Sequence, residues 1–261
     1  MTARHGDVAV DLADGVGTVE LRRPPENYFD LELIESLADV YDLLDADPRC
    51  RAIVLCSEGR HFCAGADLSR PSLGPPVDGA TWGASALYEA AARLIDAATP
   101  VVAAVQGAAV GGGLGLACSA DFRVASTMAR FSANFARLGF HHGFGLSVTL
   151  PMIVGHQHAC ELLYTGRRLT GQEALAIGLC DRVVGPDEVR VAAHAMASSI
   201  ASCAPLAVRS IRQTMREGLA ARFRTATARE FAEQDRLRRT EDFAEGVRAA
   251  AARREPRFEG R

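Results

Sequence analysis

Two short stretches of small residues carry the strongest chemical signal in the chain: FCAGADL at 62–68 and VQGAAVGGGLG at 105–115. Each follows an apolar run that reads as a strand, over 52–56 and 101–105, and the second leads straight into a helical pattern. Backbone N–H groups at the start of a helix have no intrahelical partner. Glycine and alanine leave such groups uncovered, and glycine also tolerates φ > 0 where a turn needs it. Two turns of this kind can form the halves of an oxyanion hole, which stabilises the enolate of a thioester. Taken singly, a Gly-rich turn is as readily a tight strand-to-helix connection. Order and spacing are what favour chemistry.

AGADL at 64–68 followed by PVVAAVQG at 100–107 and GGGL at 111–114 resembles the crotonase (enoyl-CoA hydratase/isomerase) superfamily. The resemblance extends through Arg23, Pro24 and Asn27, through LLYTG at 162–166 and EALAIGL at 173–179, to DFAEGV at 242–247. It implies an α/β fold, a crotonase-like spiral of repeated ββα units with a C-terminal helical oligomerisation region. Residues 1–195 would form the spiral core with an acyl-CoA site, and 196–261 a helical trimerisation region within the same structural domain. It also implies that the oxyanion donors are the N–H groups of Ala66 and Gly112, with Ala64, Asp67 and Leu68 beside the coenzyme A moiety. For Asp67 a turn cap or a structural ion pair is an equal alternative. The implied substrate is an acyl-CoA thioester, with coenzyme A part of the substrate and no separate cofactor, and the implied assembly is a homotrimer or a dimer of trimers.

Departures from the family pattern matter as much as the matches. Hydratases of the family hold and activate water with two glutamates, and those positions align here with Gly115 and Phe135. Neither side chain can transfer a proton. General acid–base catalysis typically contributes about 10²–10⁴-fold, so ordinary hydration is not expected. The adjacent pair His141 and His142, bracketed by Gly139 and Gly143, stands close to where other family members place an acid. Imidazole, with an unperturbed pKa of about 6.5, suits proton transfer near neutrality. The alternative is a His-His pair that only hydrogen-bonds its own loop. Arg137 could hold a carboxylate bidentately or lie exposed, and Tyr28, Trp82, Tyr88 and Glu89 could line an acyl pocket or simply pack. The expectation is therefore an enzyme of hydratase/isomerase type, with a histidine-based isomerase, lyase or thioesterase and a non-catalytic acyl-CoA-binding protein as alternatives.

The surrounding elements must position these residues. Alternation on either side of Asp14-Gly15 predicts a hairpin, 29–44 an amphipathic helix, 84–97 and 114–120 further helices. Short strands are expected at 122–125, 129–131 and 182–184. Thr170 and Glu173 form a capping box, and from 187 the pattern is helical almost to the end. The proline-bearing stretch 69–79 reads as a flap over the site.

Composition narrows the classes further. All 29 basic residues are arginine, which excludes a Schiff-base or P-loop lysine. A net charge of −3 gives no reason to expect nucleic-acid binding. The glycines after Val105 do not read GxGxxG, and no GxSxG occurs, against dinucleotide binding and serine hydrolysis. Seven scattered cysteines without a CxxC suit reduced thiols and a cytoplasmic location. No run is long enough to cross a bilayer. His156 and His158, at i and i+2 of an expected helix, would not converge on a metal ion.

Overall fold

The computed structural model describes residues 3–67 and 84–261; Leu68, the expected flap at 69–79 and Trp82 lie outside the described residues. The chain opens with β1 (Ala3–His5), β2 (Val8–Ala13), β3 (Val16–Leu21), α1 (Leu31–Ala46), β4 (Ala52–Ser57), α2 (Ala84–Asp96) and β5 (Val101–Val105). It continues through β6 (Ala108–Val110), α3 (Gly112–Ser119), β7 (Phe122–Ser126), β8 (Arg130–Ser132), α4 (Leu146–Val154), α5 (His156–Thr165), β9 (Arg168–Thr170), α6 (Gly171–Ala176) and β10 (Arg182–Val184). Helices α7 (Val189–Ala201), α8 (Pro205–Met215), α9 (Leu219–Leu237) and α10 (Glu241–Ala251) follow.

The fold is α/β. A seven-stranded sheet has the order β1-β2-β3-β4-β5-β7-β10, and a smaller sheet the order β6-β8-β9. β2 and β3 pair antiparallel through the Asp14-Gly15 turn, where both residues have positive φ (50° and 81°). From β3 to β10 the large sheet is parallel. Parallel strands are buried on both faces, which explains the uninterrupted apolar runs of β4 and β5. Ile53, Leu55, Val101 and Ala103 face the main core with α1. Ala52, Val54, Val102 and Ala104 face Val189, Ala193, Ala197 and Ala201 of α7.

Helix α1 starts two residues later than expected because Asp30 caps it, its carboxylate accepting from the Leu33 N–H at 3.0 Å. The expected capping box of α6 is present on Thr170 and Glu173. Strand β6 was not expected from the sequence. It inserts between the QG turn and the glycine triplet, so α3 begins at Gly112 rather than 114. The boundary placed after residue 195 falls inside α7, whose alanine face packs on the large sheet. Helix α9 packs against α2 and α4, which carries the C-terminal region onto the core.

Candidate functional site

Backbone hydrogen bonds stitch the first small-residue motif between two segments. The Cys63 N–H donates to the Ala108 carbonyl and the Val110 N–H to the Cys63 carbonyl, both at 3.0 Å, which docks the motif on β6. On its other side the Phe29 N–H donates to the Gly65 carbonyl at 3.0 Å, and Phe29 and Ala66 form a parallel bridge. In such a bridge Phe29 bonds the residues flanking Ala66, so the Ala66 N–H itself points away from Phe29. The Phe29 segment is held by Asn27, fully buried, whose amide donates to the carbonyls of Glu58 (2.8 Å) and His61 (2.7 Å).

The second motif meets the first directly. Gly112 is the first residue of α3, and its N–H has no intrahelical partner. Gly65 has φ +93°, and a Cβ there would lie 2.8 Å from the Val110 carbonyl oxygen and 3.6 Å from the Gly112 nitrogen. A Cβ on Gly113 would lie 2.1 Å from the Cys63 carbonyl oxygen. Only glycine at these two positions lets the turns approach so closely.

A cavity of about 820 Å³ opens over both turns and is lined by Ala64, Gly65, Ala66, Asp67, Gly111 and Gly112. On one side stand Arg23, Glu26 and Tyr28. Arg23 bonds Asp7 and Asp30, each at 2.7 Å, and burial together with the charges of Glu26 and Asp67 raises the Tyr28 hydroxyl above its ordinary pKa. On the other side stand Phe135, Leu138, Phe140, Phe144, Tyr88, Gln234 and Arg238. The Phe29 and Phe144 rings lie 5.2 Å apart, and those of Phe135 and Phe140 5.4 Å. This half of the cavity is an aromatic box with a polar end.

The expected site residues thus divide. Ala64, Ala66, Asp67 and Gly112 line one cavity. Leu68 lies outside the described residues. Neither the His141 nor the His142 imidazole is among the groups lining the cavity. The two rings stack at 4.1 Å; His141 Nδ1 contacts the His142 carbonyl at 2.8 Å, and His142 Nε2 contacts the Ser147 hydroxyl at 2.8 Å. Burial, with the charge of His141 second, lowers the His142 pKa to about 4. Behind them the buried Glu230 carboxylate accepts from the N–H groups of Gly145 (2.8 Å) and Ser147 (2.9 Å). Burial raises its pKa. The loop bracketed by glycines therefore places Gly143 in the cavity wall and turns the His142 imidazole towards Glu230 and Ser147, with the His141 ring stacked on it.

Of the remaining candidates, Tyr28 and Tyr88 line the cavity. Glu89 pairs with Arg224 at the surface, and Arg137 is exposed with its Nε donating to the Thr165 carbonyl. His156 contacts Cys160 and His158 contacts Glu161, so the two imidazoles have separate partners. Gln234 and Arg238 escaped the sequence reading. Their signal was the buried stripe Phe223, Thr227, Glu230 and Gln234 at helical spacing on α9, which carries polar side chains where a core helix is ordinarily apolar.

The model of the enoyl-CoA hydratase/isomerase family matches residues 11–261. A putative enoyl-CoA hydratase/isomerase of Bacillus subtilis is 32% identical over 244 residues, covering 93% of this chain and 94% of that protein. A carnitinyl-CoA dehydratase of Proteus mirabilis is 33% identical over 246 residues, covering 92% and 94%. Among solved structures, an enoyl-CoA hydratase/isomerase from Pseudoalteromonas atlantica superposes with a TM-score of 0.85 at 30% identity, covering 97% of this chain and all of that one (100%).

Proposed function

Since the chain belongs to the enoyl-CoA hydratase/isomerase family of the crotonase superfamily, we propose that it is an enzyme that binds an acyl-CoA thioester and stabilises its enolate with the Ala66 and Gly112 N–H groups. One observation carries this reading: two glycine-bearing turns from distant parts of the sequence are joined by backbone hydrogen bonds of 3.0 Å between Cys63 and the Ala108–Val110 strand and line a single cavity. Preorganised backbone donors of this kind cost no rearrangement when charge develops on the thioester oxygen. Ala64 and Asp67 would border the coenzyme A moiety, which enters as part of the substrate.

The reaction differs from hydration by a glutamate pair. Gly115 is fully packed and Phe135 is a wall of the aromatic box, so water held between two carboxylates has no place there. The relatives carry names as different as carnitinyl-CoA dehydratase and short-chain-enoyl-CoA hydratase, and the acyl group here is set by this chain's own wall residues. The exposed Leu206, Ile211 and Met215 of α8 support a homotrimer or a dimer of trimers, which light scattering tests. The free cysteines suit a reducing compartment such as the cytoplasm.

Incubating the protein in deuterium oxide with saturated acyl-CoA thioesters tests the enolate directly. Deuterium should enter the carbon next to the thioester carbonyl, solvent deuteroxide taking the departing proton and deuterium oxide returning a deuteron, as read by mass spectrometry. Tight binding without exchange or turnover would instead favour the non-catalytic acyl-CoA-binding alternative, and absence of binding would remove the reading.

A further inference from the structure

The polar end of the aromatic box has no role in enolate stabilisation. The core-facing stripe of α9 runs Phe223, Thr227, Glu230, Gln234, and Arg238 follows one turn on. It changes from apolar to polar to cationic, and its last two members line the cavity. Gln234 is fixed at both ends of its amide: its Oε1 accepts from the Tyr88 hydroxyl at 3.1 Å, and its Nε2 donates to the His141 carbonyl at 3.0 Å. The Arg238 guanidinium stands 5.6 Å above the Phe140 ring centre. Burial lowers its pKa, but a guanidinium remains charged at neutral pH. The Asp235 carboxylate, paired with Arg239 at 2.8 Å, also acts on Arg238 through its charge.

A cation in the wall of an aromatic cavity loses hydration, and a bound anion offsets that loss best. A guanidinium has five N–H donors in a planar fork, so one that already has a partner can still present two to a carboxylate. We propose that Arg238, with Tyr88 and Gln234 ordering the wall beside it, recognises a carboxylate at the far end of the acyl chain, making the substrate an acidic acyl-CoA. This inference rests on the acyl-CoA reading and specifies its acyl group.

Calorimetric titration of the full chain with matched saturated thioesters tests it: glutaryl- against valeryl-CoA, adipyl- against hexanoyl-CoA, suberyl- against octanoyl-CoA. Each pair exchanges only a terminal carboxylate for a methyl group. At least one acid should bind about tenfold or more tighter than its partner, as a charged hydrogen-bonded pair provides. Arg238→Gln should bring that ratio to about one. Equal binding within every pair overturns the proposal, as does a preference that survives in folded Arg238→Gln. Should Arg238→Gln not fold, Arg238→Lys, which keeps the charge and loses the fork, must reduce the ratio or the proposal fails. Binding of both members of a pair with no preference leaves the acyl-CoA reading standing, whereas binding of none of the thioesters removes both.

Discussion

Phe144 occupies the space in front of Gly115: a Cβ built on Gly115 would lie 2.6 Å from the Phe144 Cβ. Both residues are buried, and Phe144 holds a positive φ of 60°, an uncommon conformation for a bulky side chain. The glycine and the aromatic ring form one packing unit beside the enolate site. Restoring a glutamate at 115 would therefore have to displace Phe144 and bury a carboxylate.

Gly115→Ala should lower unfolding stability by about 1–3 kcal/mol, the usual cost of overpacking. Adding Phe144→Gly should not recover that loss, because removing a buried ring costs about 3–5 kcal/mol, more than the cleared space and relieved backbone return. Urea denaturation of both variants checks this. Gly115→Glu with Phe135→Glu should still not consume crotonyl-CoA, followed by its ultraviolet absorbance. Rapid hydration by that double variant would show that the aromatic box readily admits the carboxylates.

The two turns were legible in the sequence because each depends on local rules: an apolar strand, then residues too small to cover an N–H. The Asp14-Gly15 hairpin and the Thr170 capping box were legible for the same reason. The box behind them was not. Tyr88 and Gln234 touch across 146 positions of sequence, and an aromatic residue facing a cavity has the same periodicity as one facing the core. His141 and His142 were drawn to proton transfer by residue type and position. Only in three dimensions does Glu230, on a distant helix, come within 3.8 Å of the His142 imidazole.

Gly65→Ala should damage function before fold. Its Cβ would strike the Val110 carbonyl at 2.8 Å and, with φ at +93°, force the Ala66 N–H off its present line. Loss of one oxyanion donor typically lowers turnover about 10²–10³-fold. The variant should show that loss in deuterium exchange at the acyl carbon while its circular dichroism stays native. Undiminished exchange in a folded variant would remove Ala66 from the proposed hole.

His142 should make the protein acid-sensitive. Its folded pKa of about 4 lies below the usual 6.5, so in between the unfolded chain binds a proton that the folded chain does not. Its contribution is complete above about pH 6.5 and is lost as pH falls through that interval, by about 2 kcal/mol at pH 5. Glu230 opposes it: its raised folded pKa favours the folded state in acid and loses that contribution as pH rises. Denaturant unfolding at pH 7 and pH 5 should show a smaller drop for His142→Gln than for wild type. Equal drops would mean that the His142 imidazole is free to protonate in the fold.

Glu230 joins α9 to the amino end of α4, where its carboxylate accepts from the Gly145 and Ser147 N–H groups. A negative charge at that end also complements the helix dipole. Removing it in Glu230→Ala leaves two donors without their acceptor, each costing about 1–3 kcal/mol if it stays dry. Glu230→Gln keeps one acceptor oxygen but turns an NH₂ group towards the second N–H, so it should be destabilised by less than the alanine variant and not be neutral. Since Gly143 and Phe144 lie on the loop that Glu230 pins, both variants should also weaken thioester binding, more than a surface change such as Glu89→Gln. Thermal melts and titration with hexanoyl-CoA provide the two readouts. A Glu230→Ala protein that melts like wild type would show that the carboxylate does not hold these helices together.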